Sequence, residues 1–173
     1  TVREAGTLPL PRSGRRPPDA SVLLLARDAA GYANLCRLIT DAHMVGERGD
    51  PSVTPEQVCA HPAGLLVLLG PTSAPGELAR SGRPDAARRA LHPYREAFGE
   101  RLFVAVQHRF EEGSAREVRA LLRLADRAEV RAVATNPVRY LVPEDAFLAD
   151  ALECMRELVP VNRSNVSRRN AEG

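Results

Sequence analysis

The sequence predicts an α/β domain of about four parallel βα units, and three observations carry that prediction. Short apolar runs recur four times, at Val22 to Ala26, Leu65 to Leu69, Leu102 to Val106 and Ala132 to Thr135. Each is followed by a segment whose apolar residues repeat at three and four positions, the period of a helix that buries one face. The chain has 173 residues, 44% of them hydrophobic, which suits one domain with a real core. Strands that alternate with helices at this spacing build parallel units with right-handed crossovers.

Residues 1–20 come before this pattern. They hold four prolines and four arginines among small and polar residues, without a helical period, and read as a linker or surface segment. Val22 to Ala26, after the polar Ser21, reads as a strand buried on both faces. Asp28 is placed to cap the helix that follows, in which Tyr32, Leu35, Cys36, Ile39 and His43 share one face; Gly46 to Asp50 stops it. Thr54-Pro55-Glu56-Gln57 opens a short helix with a cap, Pro at the first position and acid in the first turn. Gly64 then introduces the second strand.

Pro71 to Gly82 reads as loop with a single turn around Glu77 to Arg80. Pro84 starts a helix that should kink or break at Pro93 and stop at Gly99. The third strand, Leu102 to Val106, ends in Gln107-His108-Arg109. Gly113-Ser114 caps a helix whose stripe of Val118, Leu121, Leu122 and Ala125 faces inward while Arg116, Arg119, Arg123 and Arg127 stay outside. The fourth strand is Ala132 to Thr135. Pro143-Glu144-Asp145 opens a last helix expected to bury Leu148, Ala151, Leu152 and Met155, and residues 161–173 trail off as a polar tail.

Composition narrows the function. No apolar run reaches the roughly 18–20 residues of a membrane span, no signal core follows a basic start, and the reading is cytosolic. Cys36, Cys59 and Cys154 lack paired spacing and read as reduced thiols. All 24 basic residues are Arg, a pattern a GC-rich coding bias explains, and the net charge is only +2. With four Phe, three Tyr and no Trp, an aromatic platform for single-stranded nucleic acid is not expected.

A parallel sheet brings its strand ends onto one rim, where α/β folds place their chemistry. Here the rim offers Gly70-Pro71-Thr72-Ser73, Gln107-His108-Arg109 and Asn136-Pro137-Val138-Arg139. A hydrolytic metal site needs several His, Asp or Glu ligands converging, and these segments hold one His and no carboxylate. His108 is the best single metal candidate, against the plain reading of a partly exposed polar residue ending a strand. His43, His61 and His92 lie at helix ends or on a helix surface. Arg109 and Arg139 could share a phosphate or carboxylate. There is no phosphate loop and no nucleophile elbow.

Several blocks, in order, resemble one family. VLLLARDAAGYANLCRLIT from Val22 to Thr40 is similar to the HLxLLA…GYxNLxxL block of the PHP (polymerase and histidinol phosphatase) domain in bacterial C-family DNA polymerases, the DNA polymerase III alpha subunits. GLLVLLG from Gly64 resembles that family's second strand, FGERLFVAVQHR from Phe98 its FGxxFYVELQHH segment, and RAVATNPVRYL from Arg131 its ATNDVHY strand end. RNAE from Arg169 resembles the approach to the polymerase module. The likeness runs from about Ser21 to Glu172 and is closest in flavour to the error-prone, damage-tolerance branch.

The resemblance implies the C-terminal part of a distorted seven-stranded α/β barrel, with the PHP-like region over residues 21–160 and the polymerase module outside the chain. It also implies that metal-binding positions have been replaced. Ser21 and Arg109 stand where the family has metal-binding His, Pro137 and Arg139 where it has Asp and His, and Ala105 where Glu is usual. Arginines at ligand positions would repel a divalent cation. The expectation is therefore a catalytically inactive structural segment, with no catalytic residue, no metal and no cofactor of its own. Its parent would be a DNA polymerase using Mg²⁺ in replication, repair and translesion synthesis. The polymerase body would be its immediate partner, with DNA, a sliding clamp and damage-tolerance proteins reached through the parent, and no membrane. Two other readings are a metal-dependent phosphoesterase or 3′–5′ exonuclease that recruits His108, and a non-catalytic phosphate- or DNA-binding module using Arg109 and Arg139.

Overall fold

The computed structural model describes residues 21–45, 51–108, 113–136, 138, 140–158 and 160–161. The expected linker over 1–20, the helix stop at Gly46 to Asp50, the polar tail from 162 onward, Arg109, Pro137 and Arg139 lie outside the described residues. Four strands, β1 (Leu23–Ala26), β2 (Leu65–Leu69), β3 (Leu102–Val106) and β4 (Arg131–Ala134), form one sheet in the order β1-β2-β3-β4. The helices are α1 (Ala29–Val45), α2 (Pro55–Ala60), α3 (Ala74–Arg80), α4 (Pro84–Phe98), α5 (Ser114–Ala128) and α6 (Ala146–Glu157). Short 3₁₀ turns at Gly99–Arg101 and Pro143–Asp145 precede β3 and α6.

The α/β class holds, and β2, β3 and β4 are parallel as expected. The first unit departs from the expectation: β1 pairs antiparallel to β2, Leu23 opposite Leu68 and Ala26 opposite Leu65. Its cause lies where the end of β1 meets the start of β2. Asp28 accepts from the Gly31 amide at 2.9 Å and caps α1, and the Arg27 amide donates to the Gly64 carbonyl at 2.8 Å. A Cβ on Gly31 would stand 1.9 Å from that same carbonyl oxygen, and Gly64 has φ +68°. Only two glycines allow the first turn of α1 to lie directly on the entry to β2.

Alternation sends Leu65, Val67 and Leu69 of β2 and Leu102 and Val104 of β3 to one face. There they meet Leu91, Tyr94 and Phe98 of α4 and Leu121 and Leu124 of α5, with Leu38 of α1 and Val58 of α2 in the same core. Helix α4 buries Ala87, Leu91, Tyr94 and Phe98, a stripe that carries it unbroken through Pro93, contrary to expectation. Pro93 is exposed, so the carbonyl it leaves without an amide partner is on the solvent side. Helix α2 has its full reciprocal cap between Thr54 and Gln57. Where a loop with one turn was expected, α3 runs seven residues. Ser73 supplies its cap, its buried hydroxyl donating to the Gly70 carbonyl and accepting from the Gly76 amide.

Several inward faces differ from the sequence pattern. Helix α1 packs through Gly31, Leu38 and Ala42 and leaves Tyr32, Cys36, Ile39 and His43 exposed, because the glycine contact sets its rotation. Helix α5 turns Ala120, Leu121, Leu124, Ala125 and Ala128 inward and leaves Leu122 exposed. Strand β1, expected to be buried, and strand β4 are sheet edges with mostly exposed residues. In α6 the buried side is Ala146, Asp150 and Cys154, while Leu148, Leu152 and Met155 are 57%, 57% and 67% exposed. No described element other than the preceding turn packs extensively on α6, so its apolar stripe stays open.

Candidate functional site

The carboxyl ends of β2, β3 and β4 share one rim, and the reversed β1 adds its beginning to it. Ser21 therefore sits beside Thr72: its amide donates to the Thr72 carbonyl at 3.0 Å, and the two hydroxyls are 2.8 Å apart. Parallel pairing would have carried Ser21 to the opposite edge of the sheet. From β1 to β4 the described rim thus reads Ser21 and Thr72, then Gln107 and His108, then Thr135 and Asn136. The Thr135 amide extends the β3–β4 ladder by donating to the Val106 carbonyl at 2.9 Å.

The donor set on this rim is hydroxyls, amides and one imidazole. His108 is exposed directly after β3. Ala105 is buried within β3 and offers a methyl at the position where the resemblance implies a carboxylate. Among the described residues, no three His, Cys, Asp or Glu side chains are grouped so as to hold a metal ion. The described rim does not fit the metal cluster that the family resemblance brings with it, and no chemical step through a metal follows from it. The other replaced positions, Arg109, Pro137 and Arg139, fall outside the described residues.

Away from the rim, the shifted carboxyls of Asp28 and Glu129 serve a helix cap and an ion pair. The Gly31 amide holds the exposed Asp28 carboxyl below its usual range, which keeps the cap of α1 charged. Arg95, 2.8 Å from Glu129, lowers that carboxyl in the same way. His92 lies 3.6 Å from Glu96, one turn away on the surface of α4. His43 is in the last turn of α1 and His61 caps α2. Burial, then the nearby Glu56, pushes the Cys59 thiol up to about 11, so it is protonated at neutral pH and unsuited to nucleophilic attack. Within the helix layer, Arg80 bridges Glu77 of its own helix and the buried Glu117 of α5, the latter at 3.1 Å. Sequence reading placed Thr72 on the rim but missed its pairing with Ser21, because a strand's direction leaves no mark in a four-residue apolar run.

A parallel β2–β4 sheet with a polar rim and one reversed edge strand defines a mixed α/β domain. The chain belongs to the PHP domain family, whose model matches residues 8–109. It is 34% identical over 134 residues to a protein of Xylella fastidiosa named DNA polymerase III subunit alpha, a match covering 76% of this chain and 11% of that protein. Against a protein of the same name from Deinococcus radiodurans the identity is 33% over 130 residues, 75% of this chain and 10% of the relative. Error-prone DNA polymerase 1 of Agrobacterium fabrum is 28% identical over 150 residues, 87% of this chain and 13% of the relative. The chain thus spans roughly a tenth to an eighth of the length of these curated relatives. No helix among the described residues is long and apolar enough to cross a membrane.

Proposed function

We propose that this chain is a PHP-domain segment of an error-prone DNA polymerase III alpha-type subunit and serves as an architectural piece that performs no catalysis itself. The observation that carries the reading is the Ser21–Thr72 pairing. At a rim position where the family resemblance implies a metal-binding histidine, a hydroxyl is instead tied to a neighbouring hydroxyl and the adjoining backbone. Relatives named as polymerases supply the parent class. The parent would use Mg²⁺ at carboxylates outside this chain, act on DNA in replication and damage tolerance in the cytoplasm, and hold this segment against the polymerase body. The sliding clamp and damage-tolerance proteins would be partners of that parent.

The test has two parts. Purified chain is assayed with Mn²⁺, Zn²⁺ or Mg²⁺ against a phosphodiester reporter and a 3′-labelled oligonucleotide. The expected result is no turnover above a chelator control; metal-dependent turnover abolished by His108→Ala would establish the phosphoesterase reading instead. Sequencing the coding DNA on both sides should reveal a continuous frame with paired palm aspartates. Stop codons close to both ends would sink the assignment to a working polymerase.

A further inference from the structure

We infer that the solvent face of α5 is a phosphate-backbone binding ladder for a strand of nucleic acid, separate from the rim. The observation is four arginines, Arg116, Arg119, Arg123 and Arg127, all exposed on one helix. At about 100° per residue they fall within an arc of about 80°, and at about 1.5 Å rise they span about 16 Å. From Arg119 onward the steps are four residues, about 6 Å each, close to the separation of successive phosphates along an extended strand.

Three features set this face apart from a generic charged surface. None of the four guanidinium groups makes an ion pair or hydrogen bond with a described residue, whereas Arg80 and Arg95 elsewhere in the helix layer do. The acids of α5 do not neutralise the ladder: Glu117 is buried and paired with Arg80, which leaves Asp126 as the one exposed carboxylate of the helix. Helix stability does not ask for the pattern either. Arg116 lies in the first turn, where the helix dipole disfavours a cation. Coding bias accounts for Arg in place of Lys but not for four of them in line.

The ladder also has relief. Arg123 and Arg127 border a cleft of about 230 Å³ floored by Ala120 and Leu124 and closed by the Gly82–Pro84 turn. That gives two guanidiniums beside a small apolar floor, suited to phosphates and the sugar between them. The larger cleft on α4, about 560 Å³, is the rival site. There Asp85 and Glu96 line the cleft beside Arg88, Arg89 and Arg95, Arg95 is already paired with Glu129 and His92 faces Glu96, so it is less suited to a polyanion than the α5 ladder. Regular spacing along a straight helix favours a phosphate backbone over an acidic peptide, whose carboxylates are set by its own fold.

The test is fluorescence anisotropy of a labelled single-stranded oligodeoxynucleotide of about 20 residues with the full chain, between about 50 and 200 mM salt. Four phosphate contacts predict a log–log salt slope near −3 and about 50-fold weaker binding across that range. Replacing all four arginines by glutamine should flatten the slope by nearly three, and Arg123→Gln with Arg127→Gln by about half that. Arg88→Gln with Arg89→Gln should leave it unchanged. Circular dichroism checks that each variant is folded, and the double variant serves if the quadruple one is not. No binding at low salt, or an unchanged slope in the double variant, would overturn the proposal. So would equal competition by polyglutamate and by unlabelled DNA at matched charge, which would point to an acidic protein.

Discussion

The two faces of the central sheet are built from the same kinds of residue and are covered unequally. On one, Leu65, Val67 and Leu69 alternate with Leu102 and Val104 and vanish beneath five helices. On the other, Leu68 and Ala105 are buried as well, but Leu66 and Phe103 are only half-buried and Leu23 and Leu25 of β1 are 52% and 43% exposed. At the opposite edge Arg131 stacks its guanidinium 4.7 Å from the ring centroid of the half-buried Phe103, a cation lying over an aromatic. The apolar pattern of a strand therefore says that both faces can be buried. It does not say that both are buried by this stretch of chain. An apolar second face with unpaired edges is what a segment of a closed barrel presents.

The contrast can be broken most severely from the covered side. Phe98→Ala, in a residue only 2% exposed, should cost about 3–5 kcal/mol in urea denaturation. Leu25→Ala on the open face should cost less than about 1 kcal/mol, and a loss equal to that of Phe98→Ala would mean the open face is covered after all. Next comes the junction that reverses β1. Gly31→Ala drives a methyl into the Gly64 carbonyl and should cost about 2–3 kcal/mol, with loss of amide protection in β1 before β3 by hydrogen exchange.

Within the helix layer, Arg80→Ala strips the buried Glu117 of a partner. A loss of about 1–2 kcal/mol is expected, discounted because Arg80 itself is partly exposed, and Arg80→Lys should recover part of it. The smallest effect is electrostatic. Asp28 has its carboxyl lowered by the Gly31 amide, so its contribution is present above the unfolded value of 3.8 and fades as pH falls through the lower folded value. The stability of Asp28→Asn relative to the parent should converge in that acid range and diverge above it; parallel curves would mean the cap's charge does not matter.

Much of the fold was legible in the sequence because it rests on local chemistry. The bounds of β2 and β3 follow from apolar runs flanked by Gly64, Gly70 and the Gly99 turn. The starts of α1, α2 and α4 follow from Asp28, Thr54 and Pro84. The rim segments were legible too, since they lie where strands end. The inward faces of α1, α5 and α6 were not. A helix with apolar residues around more than half its circumference has no unique buried side until a neighbour selects one. Leu148, Leu152 and Met155 satisfied the helical period and still found no cover among the described residues.

What the sequence by itself determined is the alternation of strands and helices and their caps, encoded within a few residues of where they act. The tertiary structure decided the direction of β1, and with it the meeting of Ser21 and Thr72. That choice depends on Gly31 lying against Gly64, two residues 33 positions apart whose fit is a matter of backbone contact in space. The arginine ladder belongs to both. Its spacing is written in the chain, but its freedom from acidic partners exists only because packing turned Glu117 inward to Arg80 and left the four guanidiniums outside.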